Sequence, residues 1–280
     1  MNQTITAILM CVIAMTAGAQ QKAHIMVSYD VKALNWETDT VTGCRMTLLA
    51  GPEESKYFND LSLWSDSMSS TPEGKKELQQ IIMAACMTQS PEGSISIDLR
   101  KGPVKNVYTY VFCNKNDNSL RLYDKFAGEL CYYDEPMDDM QWEICDSTAN
   151  IIGYECVAAR TDYHGRAWTA WFAPELPLPY GPWKFHGLPG LILKAEAESG
   201  FEFTATGIEK TDKTMTPMYS HDEYQKVDRK KALAEAEYYN NNKEAIINAK
   251  FGGNVQFENN HADRPKYDAL RYALEPDYKN

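Results

Sequence analysis

The chain has 280 residues, of which 44% are hydrophobic and 11% aromatic, so it is long enough to bury a substantial core. Its formal net charge of −11 argues against nucleic acid as a partner, because phosphate binding needs a basic face and no lysine- or arginine-rich patch of that kind is present. The same acidity fits a protein that avoids anionic membrane surfaces.

Residues 5–16 form a mostly apolar segment of signal-peptide length, too short to cross a bilayer as a helix. Ala17-Gly18-Ala19 then gives the small-x-small pattern that signal peptidase reads, which predicts a signal peptide over residues 1–19. Cys11 lies too early for a lipobox, so no lipid anchor is expected. No other stretch approaches about 18 apolar residues. These features predict an exported protein, periplasmic or extracellular, without a transmembrane segment.

Six cysteines remain after removal of the predicted signal peptide, and an even number in an exported chain suggests disulfide bonds. None forms a CxxC pair or a cysteine–histidine cluster with the spacing of zinc ligands. The sequence favours a bond between Cys145 and Cys156, and next between Cys113 and Cys131, with free buried thiols as the alternative. The six are Cys44, Cys86, Cys113, Cys131, Cys145 and Cys156.

The first elements after residue 20 are two predicted strands and a helix. Residues 25–33 alternate with a period of two, which predicts a half-buried strand, and residues 44–50 predict a second. A polar loop then leads into a helix near 72–87, where Thr71 is the expected N-cap and Pro72 the first helical residue.

From about residue 94 to residue 209 the chain contains successive strand patterns separated by short turns. This spacing predicts an antiparallel meander rather than βαβ units, and a sheet of this size must curl or cover one face. The predicted strands cover residues 107–113, 120–124, 129–133, 140–146, 151–160, 166–172, 191–196 and 201–208.

A long helix is predicted near 222–250, capped by Asp222 and ended by Gly252-Gly253. Residues 254–280 form a polar tail without a clear period. The predicted fold class is therefore mainly β (α+β): a curled antiparallel meander or incomplete barrel, in a single domain over residues 20–253.

No sequence motif indicates catalysis, and neither a cofactor nor a metal site is predicted. Gly181, Gly187 and Gly190 do not match a phosphate-binding loop, no GxSxG is present, and no two histidines lie at i, i+4. A serine–histidine–aspartate triad assembled by the fold cannot be located from the sequence, so a hydrolase stays open as an alternative.

Two sets of polar residues allow a functional and a structural interpretation. Asp134, Glu135 and residues 138–139 could bind a hard cation, but a solvated turn between strands is favoured because the spacing of a calcium loop is absent. His164 and His186 could join in a metal or ligand site, but local hydrogen bonds of two loop histidines are the favoured interpretation.

Aromatic residues provide the candidate binding surface. Trp168 and Phe172 share one face of a predicted strand and Trp171 lies on the other, which suits either a core or a grip on an apolar ligand, with the core favoured. The residues predicted to bind such a ligand are Trp168, Phe172, Trp183, Phe185 and His186.

Residues 174–193 combine prolines and glycines at high density. The prolines hold the first part extended, Gly181 permits a turn, and Gly187 and Gly190 permit positive φ or a close backbone approach. The segment is either a structural latch on the sheet or the rim of a binding site, and the latch is favoured.

Gly187-Leu-Pro-Gly-Leu-Ile192 resembles the signature of the GLPGLI family, and the resemblance extends over residues 140–210 through Ile152–Ala159, His164–Arg166 and Ala170–Pro177. It implies an exported protein of Gram-negative bacteria with no established activity. The residues of the motif are Gly153, Tyr154, Cys156, Gly181, Pro182, Gly187, Leu188, Pro189, Gly190, Leu191 and Ile192.

A curled antiparallel sheet with a helix on its concave side is also similar in outline to the incomplete barrels of periplasmic lipoprotein carriers, a likeness of fold only. We therefore expect a non-enzymatic binding protein for an apolar ligand or for a segment of an envelope protein. The alternatives are an envelope scaffold acting through its surface, and a hydrolase.

Overall fold

The computed structural model describes residues 21–89, 95–98, 101–137, 140–250, 252–253 and 266–279. The predicted signal peptide with Cys11, and Asp138 and Asp139 of the acidic set, lie outside the described residues.

Twelve strands form one curled, unclosed sheet, which confirms the predicted mainly β class. Its order is β14-β8-β7-β6-β3-β2-β1-β13-β12-β11-β10-β9, and β4 and β5 form a separate hairpin. The strands are β1 (Ile25–Asn35), β2 (Thr40–Ala50), β3 (Glu54–Phe58), β4 (Met87–Gln89), β5 (Ile95–Ile97), β6 (Tyr110–Asn114), β7 (Ser119–Phe126), β8 (Glu129–Pro136), β9 (Glu143–Ile151), β10 (Tyr154–Tyr163), β11 (Arg166–Ala173), β12 (Leu191–Glu196), β13 (Glu202–Lys210) and β14 (Gln225–Lys226).

The sheet consists of two meanders joined at its centre. The antiparallel partners of β1 are β2 on one side and β13 on the other, so Ile25 lies opposite both Ala50 and Lys210. The alternation in residues 25–33 predicts the strand but not these partners, because pairing across the whole chain has no local signal.

In the part of the chain that the structure describes, four α-helices accompany the sheet: α1 (Asp60–Ser69), α2 (Pro72–Cys86), α3 (Arg229–Lys250) and α4 (Ala269–Tyr272). The predicted first helix is confirmed as α2, because Thr71 Oγ1 accepts a hydrogen bond from the Gly74 amide at 3.1 Å and Pro72 opens the helix. Helix α1 was not predicted. No helix among the described residues is long and apolar enough to span a membrane.

The predicted start of the long helix is wrong. Asp222 lies in a 3-10 turn, His221–Glu223, and Gln225-Lys226 then pairs in parallel with β8. Tyr224 is buried on the sheet, which holds the chain in an extended path before α3. Asp228 instead accepts a hydrogen bond from the Lys231 amide at 2.9 Å, so the helix is capped six residues later than predicted.

Both predicted disulfides are wrong, because all six cysteines from Cys44 to Cys156 are free thiols. Cys113 lies on β6 and Cys131 on β8, with β7 between them, so their Cα atoms are at least ~9.5 Å apart. Cys156 lies opposite Ala149, about 13 Å along β9 from Cys145. A disulfide needs Cα atoms within about 7 Å.

The main core fills the inside of the curled sheet, where Tyr29, Leu48, Leu122 and Ala170 are buried together. A smaller second core lies on the opposite face, since Leu49, Phe58 and Tyr123 immediately follow main-core residues and side chains alternate along a strand.

Candidate ligand cavity and buried ion cluster

Residues 174–190 connect β11 to β12 by folding into the inside of the sheet. The Leu191 amide donates to the Leu176 carbonyl at 2.8 Å, and the Ile192 amide donates to the Tyr180 carbonyl at 2.9 Å. Tyr29 on β1 donates its hydroxyl proton to the Ile192 carbonyl at 2.7 Å, which ties the end of the segment to the centre of the sheet. The segment is a buried plug of the core, as the latch interpretation favoured.

Two glycines make this plug possible. A Cβ on Gly190 would lie 2.3 Å from the Ala173 carbonyl oxygen, so only glycine permits the close approach of the two backbone segments. Gly187 has a φ of +91°, a conformation that side chains rarely adopt. The prediction of a close approach or a positive φ at these positions is confirmed.

The aromatic residues of the plug pack against those of β11 and β13. Ring centroids lie 4.8 Å apart for Trp168 and Phe185 and 5.2 Å apart for Trp183 and Phe185. Trp168, Phe172, Trp183 and Phe185 are all at most 3% exposed. Four of the five predicted binding residues thus form core packing, and Trp183 alone among these four also reaches the wall of the cavity described below.

The two histidines singled out in the sequence lie in different surroundings. His186 directs Nδ1 to the Lys184 carbonyl at 2.7 Å, a local hydrogen bond as expected. Its Nε2 contacts the Met137 carbonyl, which lies 49 residues away in the chain. His164, in the β10–β11 turn, instead faces carboxylates: its Nε2 lies 3.0 Å from Glu135 Oε1. That contact lacks hydrogen-bond geometry and is an electrostatic one.

His164 belongs to a buried ion cluster that joins five distant parts of the chain. Lys184, completely buried in the plug, contacts Glu135 of β8 and reaches Glu275 Oε1 at 2.7 Å. Arg229, the first residue of α3, reaches Glu135 at 3.0 Å and Glu275 at 2.7 Å. Its guanidinium also binds both oxygens of Asp277, at 2.8 and 2.5 Å.

The charges of this cluster set the protonation of its carboxylates. Burial opposes ionisation of Glu135, but His164 and Lys184 outweigh it and lower the pKa of Glu135 to about 2. Arg229 likewise outweighs burial and lowers the pKa of Asp277. Three carboxylates therefore face the side chains of Lys184 and Arg229, with His164 beside them.

Glu135, His164 and Glu275 also place ligand-type atoms within 4.8 Å of one another, as a metal site does. Lys184 and Arg229 already occupy these carboxylates, which favours an ion cluster over a metal centre. The cluster therefore serves to fasten α3 and residues 266–279 to the sheet.

This cluster was not predicted from the sequence, where Glu135 was expected in a solvated turn. Cys131, Tyr133 and Glu135 nevertheless share one face of β8 by their period of two, a signal that was present in the sequence. Residues 266–279, which fall in the predicted polar tail, pack on the sheet with Glu275 only 4% exposed. No local pattern indicates that docking.

A cavity of about 340 Å³ lies beside the ion cluster, between the inner face of the sheet and α3. Its floor includes Leu122 and Phe126 of β7, and Trp183 of the plug. Leu233 and Ala236 of α3 form one side. The remaining wall comes from the C-terminal segment and β8, with Tyr133, Tyr267, Tyr272, Tyr278 and Glu275 among its residues.

Two larger grooves lie elsewhere on the protein. One of about 860 Å³ includes Lys56, whose buried amine donates to the Thr216 carbonyl at 2.9 Å and lies 5.2 Å from the centre of the Phe58 ring. Burial lowers the pKa of Lys56 to about 8. The other, about 880 Å³, runs past Arg160, Asp162 and Glu196 at the end of the sheet. The surfaces of both grooves are more polar than that of the cavity under α3.

The hydrolase alternative required a serine or cysteine beside a histidine. Within the described residues no histidine side chain is hydrogen-bonded to either: His221 contacts the Tyr123 hydroxyl at 2.9 Å, and His186 contacts backbone carbonyls. His261 lies outside the described residues.

Comparison with solved structures finds PNGF-II in the C2 space group, at 12% identity and a TM-score of 0.47, covering 76% of this chain and 32% of that one. The P21 form of PNGF-II gives 12% and 0.46. A domain named for an outer membrane lipoprotein-sorting protein from Vibrio parahaemolyticus gives 7% and 0.21, covering 71% of this chain and 88% of its own. Structural similarity at this level does not indicate a shared function.

The chain spans about a third of the length of PNGF-II. No curated protein sequence matches it. The family model described as "N-glycanase peptide, N-terminal domain" matches residues 74–231, which is more than half of the chain and runs from α2 to the start of α3. The chain therefore belongs to the family of N-glycanase peptide N-terminal domains.

Proposed function

We propose that the protein is an exported, non-enzymatic binding protein that takes an apolar ligand, or an apolar segment of a partner protein, into the cavity under α3. The observation that carries this proposal is the cavity itself, about 340 Å³ in volume and walled mainly by aromatic and aliphatic side chains. Its volume lies at the lower end of small-molecule sites, and such sites are mostly apolar with a few polar groups.

The construction of the walls supports a preformed site. Trp183 is held by the plug, with its ring stacked at 11° to the plane of Phe203. Tyr133 donates its hydroxyl proton to Glu275 at 2.9 Å, and Tyr272 donates to Asp39 at 2.9 Å. These hydroxyls are already bonded, so the rings present apolar surface to a ligand without leaving a polar group unsatisfied.

Export rests on the sequence: the signal-peptide pattern of residues 1–19 and the resemblance of Gly187–Ile192 to the GLPGLI family. Both are compatible with a protein that works outside the cytoplasm. The described residues contain no membrane-spanning helix, and α3, the longest, is mostly polar.

The proposal is tested by a substitution on α3 that fills the cavity with a large side chain. Ala236 lines it and Ala234 is exposed on the same helix, so Ala236→Trp and Ala234→Trp form a matched pair. Binding of the fluorescent apolar probe N-phenyl-1-naphthylamine is measured by titration, with circular dichroism confirming that both variants fold. We expect at least a tenfold loss of affinity for Ala236→Trp alone. Equal affinities in both variants, or no binding to the wild type, would contradict the proposal.

A second candidate, a scaffold acting through its surface, is favoured by one observation. Strand β9 ends the sheet, its residues are exposed or half-buried throughout, and Ile144 on it is 56% exposed. An exposed edge strand can accept a strand from another chain. Since the family is named for an N-glycanase, an enzyme of that kind is a candidate partner. Replacing Ser147 by proline would abolish capture of such a partner while leaving probe binding intact.

A further inference from the structure

The cavity contains an acidic residue where the strand pattern calls for an apolar one. On β7, Leu120 and Leu122 point into the main core, and Asp124 is the next residue of the same face. Asp124 is partly exposed and lines the cavity. A carboxylate in that position needs a partner for its charge.

The partners of Asp124 are neutral. One carboxylate oxygen accepts a hydrogen bond from the Thr109 hydroxyl at 2.6 Å, and the other accepts one from the Lys125 amide at 2.7 Å. Within the described residues Asp124 has no ion pair. Lys105 acts on it electrostatically, but the Lys105 amine is bonded to both oxygens of Asp66, at 2.8 and 2.7 Å.

The charged groups around the cavity do not compensate Asp124. Glu275, the other acidic residue of the wall, is matched by Lys184 and Arg229. The Arg166 guanidinium lies over the ring of Phe201, a residue of the cavity wall. It donates hydrogen bonds to the Ala273 and Ala269 carbonyls instead of pairing with Asp124. Burial raises the pKa of Asp124, in keeping with a carboxylate that lacks a cation.

The remaining wall is suited to a cation as well. Seven aromatic residues line the cavity, and none of its described lining residues is a lysine, arginine or histidine. Aromatic faces attract ammonium groups, and the attraction is stronger where the site is desolvated. The seven are Phe126, Tyr133, Trp183, Phe201, Tyr267, Tyr272 and Tyr278.

We propose that the ligand of this cavity is a hydrophobic amine, whose ammonium group pairs with Asp124 among the aromatic rings while its apolar body lies along Leu122, Leu233 and Ala236. This inference rests on the proposed function, because it specifies the class of ligand that the cavity takes. It implies that a neutral ligand of the same shape binds less tightly, and that an anionic one is rejected by Asp124.

The test compares three probes of equal chain length at pH 7 by calorimetry: decylamine, 1-decanol and decanoate. We expect decylamine to bind at least tenfold more tightly than decanol, and decanoate more weakly than either. In Asp124→Asn the preference for decylamine should disappear while the affinity for decanol stays unchanged, which shows that the variant is folded. Asp146→Asn, at an exposed site on β9, removes the same charge and should change nothing.

The outcomes separate the two proposals. If none of the three probes binds, the proposed apolar-ligand function fails. If decylamine and decanol bind equally, or if Asp124→Asn weakens both equally, the cavity binds apolar ligands but Asp124 does not select amines. Tighter binding of decanoate than of decylamine would contradict the proposal that the ligand carries a positive charge.

Discussion

Lys184 and Glu275 form a completely buried ion pair, 2.7 Å between Nζ and Oε1, that joins the plug inside the sheet to the C-terminal segment. Neither residue belongs to a regular helix or strand of the sheet. Their pairing fixes the position of Trp183 on one side of the cavity and of Tyr272 and Tyr278 on another. The cavity and the ion cluster are therefore built by the same contacts.

Removal of the lysine charge should destabilise the fold strongly. In Lys184→Met, Glu135 and Glu275 lose a buried counter-ion, and we expect the free energy of unfolding to fall by about 3–5 kcal/mol. Urea denaturation followed by tryptophan fluorescence measures it. Lys194→Met, which removes a partly exposed pair with Glu196, is the control and should cost at most about 1 kcal/mol. Similar losses in the two variants would contradict a structural role for the cluster.

The cluster also predicts loss of stability in acid. The pKa of Glu135 in the folded protein is about 2, below its ordinary value of 4.5. Its contribution is therefore complete above about pH 5 and is lost as the pH falls from 4.5 towards 2. Asp277, whose pKa is also lowered, acts in the same direction.

This acid dependence is measured as the slope of the unfolding free energy against pH between 5 and 2. We expect Glu135→Gln to flatten that slope, since the shift corresponds to about 3 kcal/mol at most. Glu73→Gln, at an exposed position in the first turn of α2, should leave the slope unchanged. An unaltered slope in Glu135→Gln would show that other carboxylates dominate.

The C-terminal segment is expected to stabilise the whole domain. A chain ending at residue 265 lacks both Glu275 and Asp277, which leaves Arg229 and Lys184 with Glu135 alone. We expect a loss of several kcal/mol and a weaker binding of the apolar probe. A chain ending at Tyr278 removes the Lys279 side chain, with its partly exposed pair to Glu237 and its contact with the Tyr278 ring, and should lose less than about 1 kcal/mol. Unchanged melting of the shorter chain would contradict the docking of this segment.

A methyl group at Gly190 should be poorly tolerated. It would lie 2.3 Å from the Ala173 carbonyl oxygen, a backbone atom that cannot move without shifting β11, so Gly190→Ala should lower the unfolding free energy by about 2 kcal/mol or more. Gly207→Ala is the matched control, because nothing lies within 4 Å of the added carbon. Thermal melts of the two variants check this, and equal melting temperatures would speak against the close approach.

The thiols should be reduced and differ in accessibility. Cys44 and Cys145 are partly exposed, whereas the other four described cysteines are buried. We expect rapid alkylation of these two in the native protein and of the remaining four only after unfolding. Mass spectrometry counts the labels. A mass lower by two hydrogens for each bond, with missing labels at Cys145 and Cys156, would restore the predicted disulfide.

Local patterns predicted most of the secondary structure. The period of two in residues 25–33 and the capping signals at Thr71 and Pro72 report short-range preferences, and the structure confirms them. The predicted helix start at Asp222 was wrong because a capping residue carries no information about Tyr224, whose burial keeps the chain extended. Tertiary packing overrode a local preference there.

Most of the candidate site could not be predicted from the sequence. The aromatic residues around Gly187–Ile192 predicted a dense cluster, but a packed core and the wall of a cavity have the same composition. Of the five residues predicted to bind a ligand, only Trp183 belongs both to the core and to the cavity wall. Glu135, Arg229 and Glu275 lie far apart along the chain, and their pairing depends on how α3 and the last residues fold back. No periodicity records such long-range contacts.

The position of β1 at the centre of the sheet bears on how the chain reaches its native state. Strands β1 and β13 pair from Ile25 to Lys32, with one register shift between Ser28 and Tyr29, although β13 does not begin until Glu202. The two halves of the sheet can each form from neighbours in sequence, but the seam between them cannot close until residues 202–210 have emerged. We expect folding to be completed only after residues 202–210 are available to pair with β1, with the closing of this seam as the slow step.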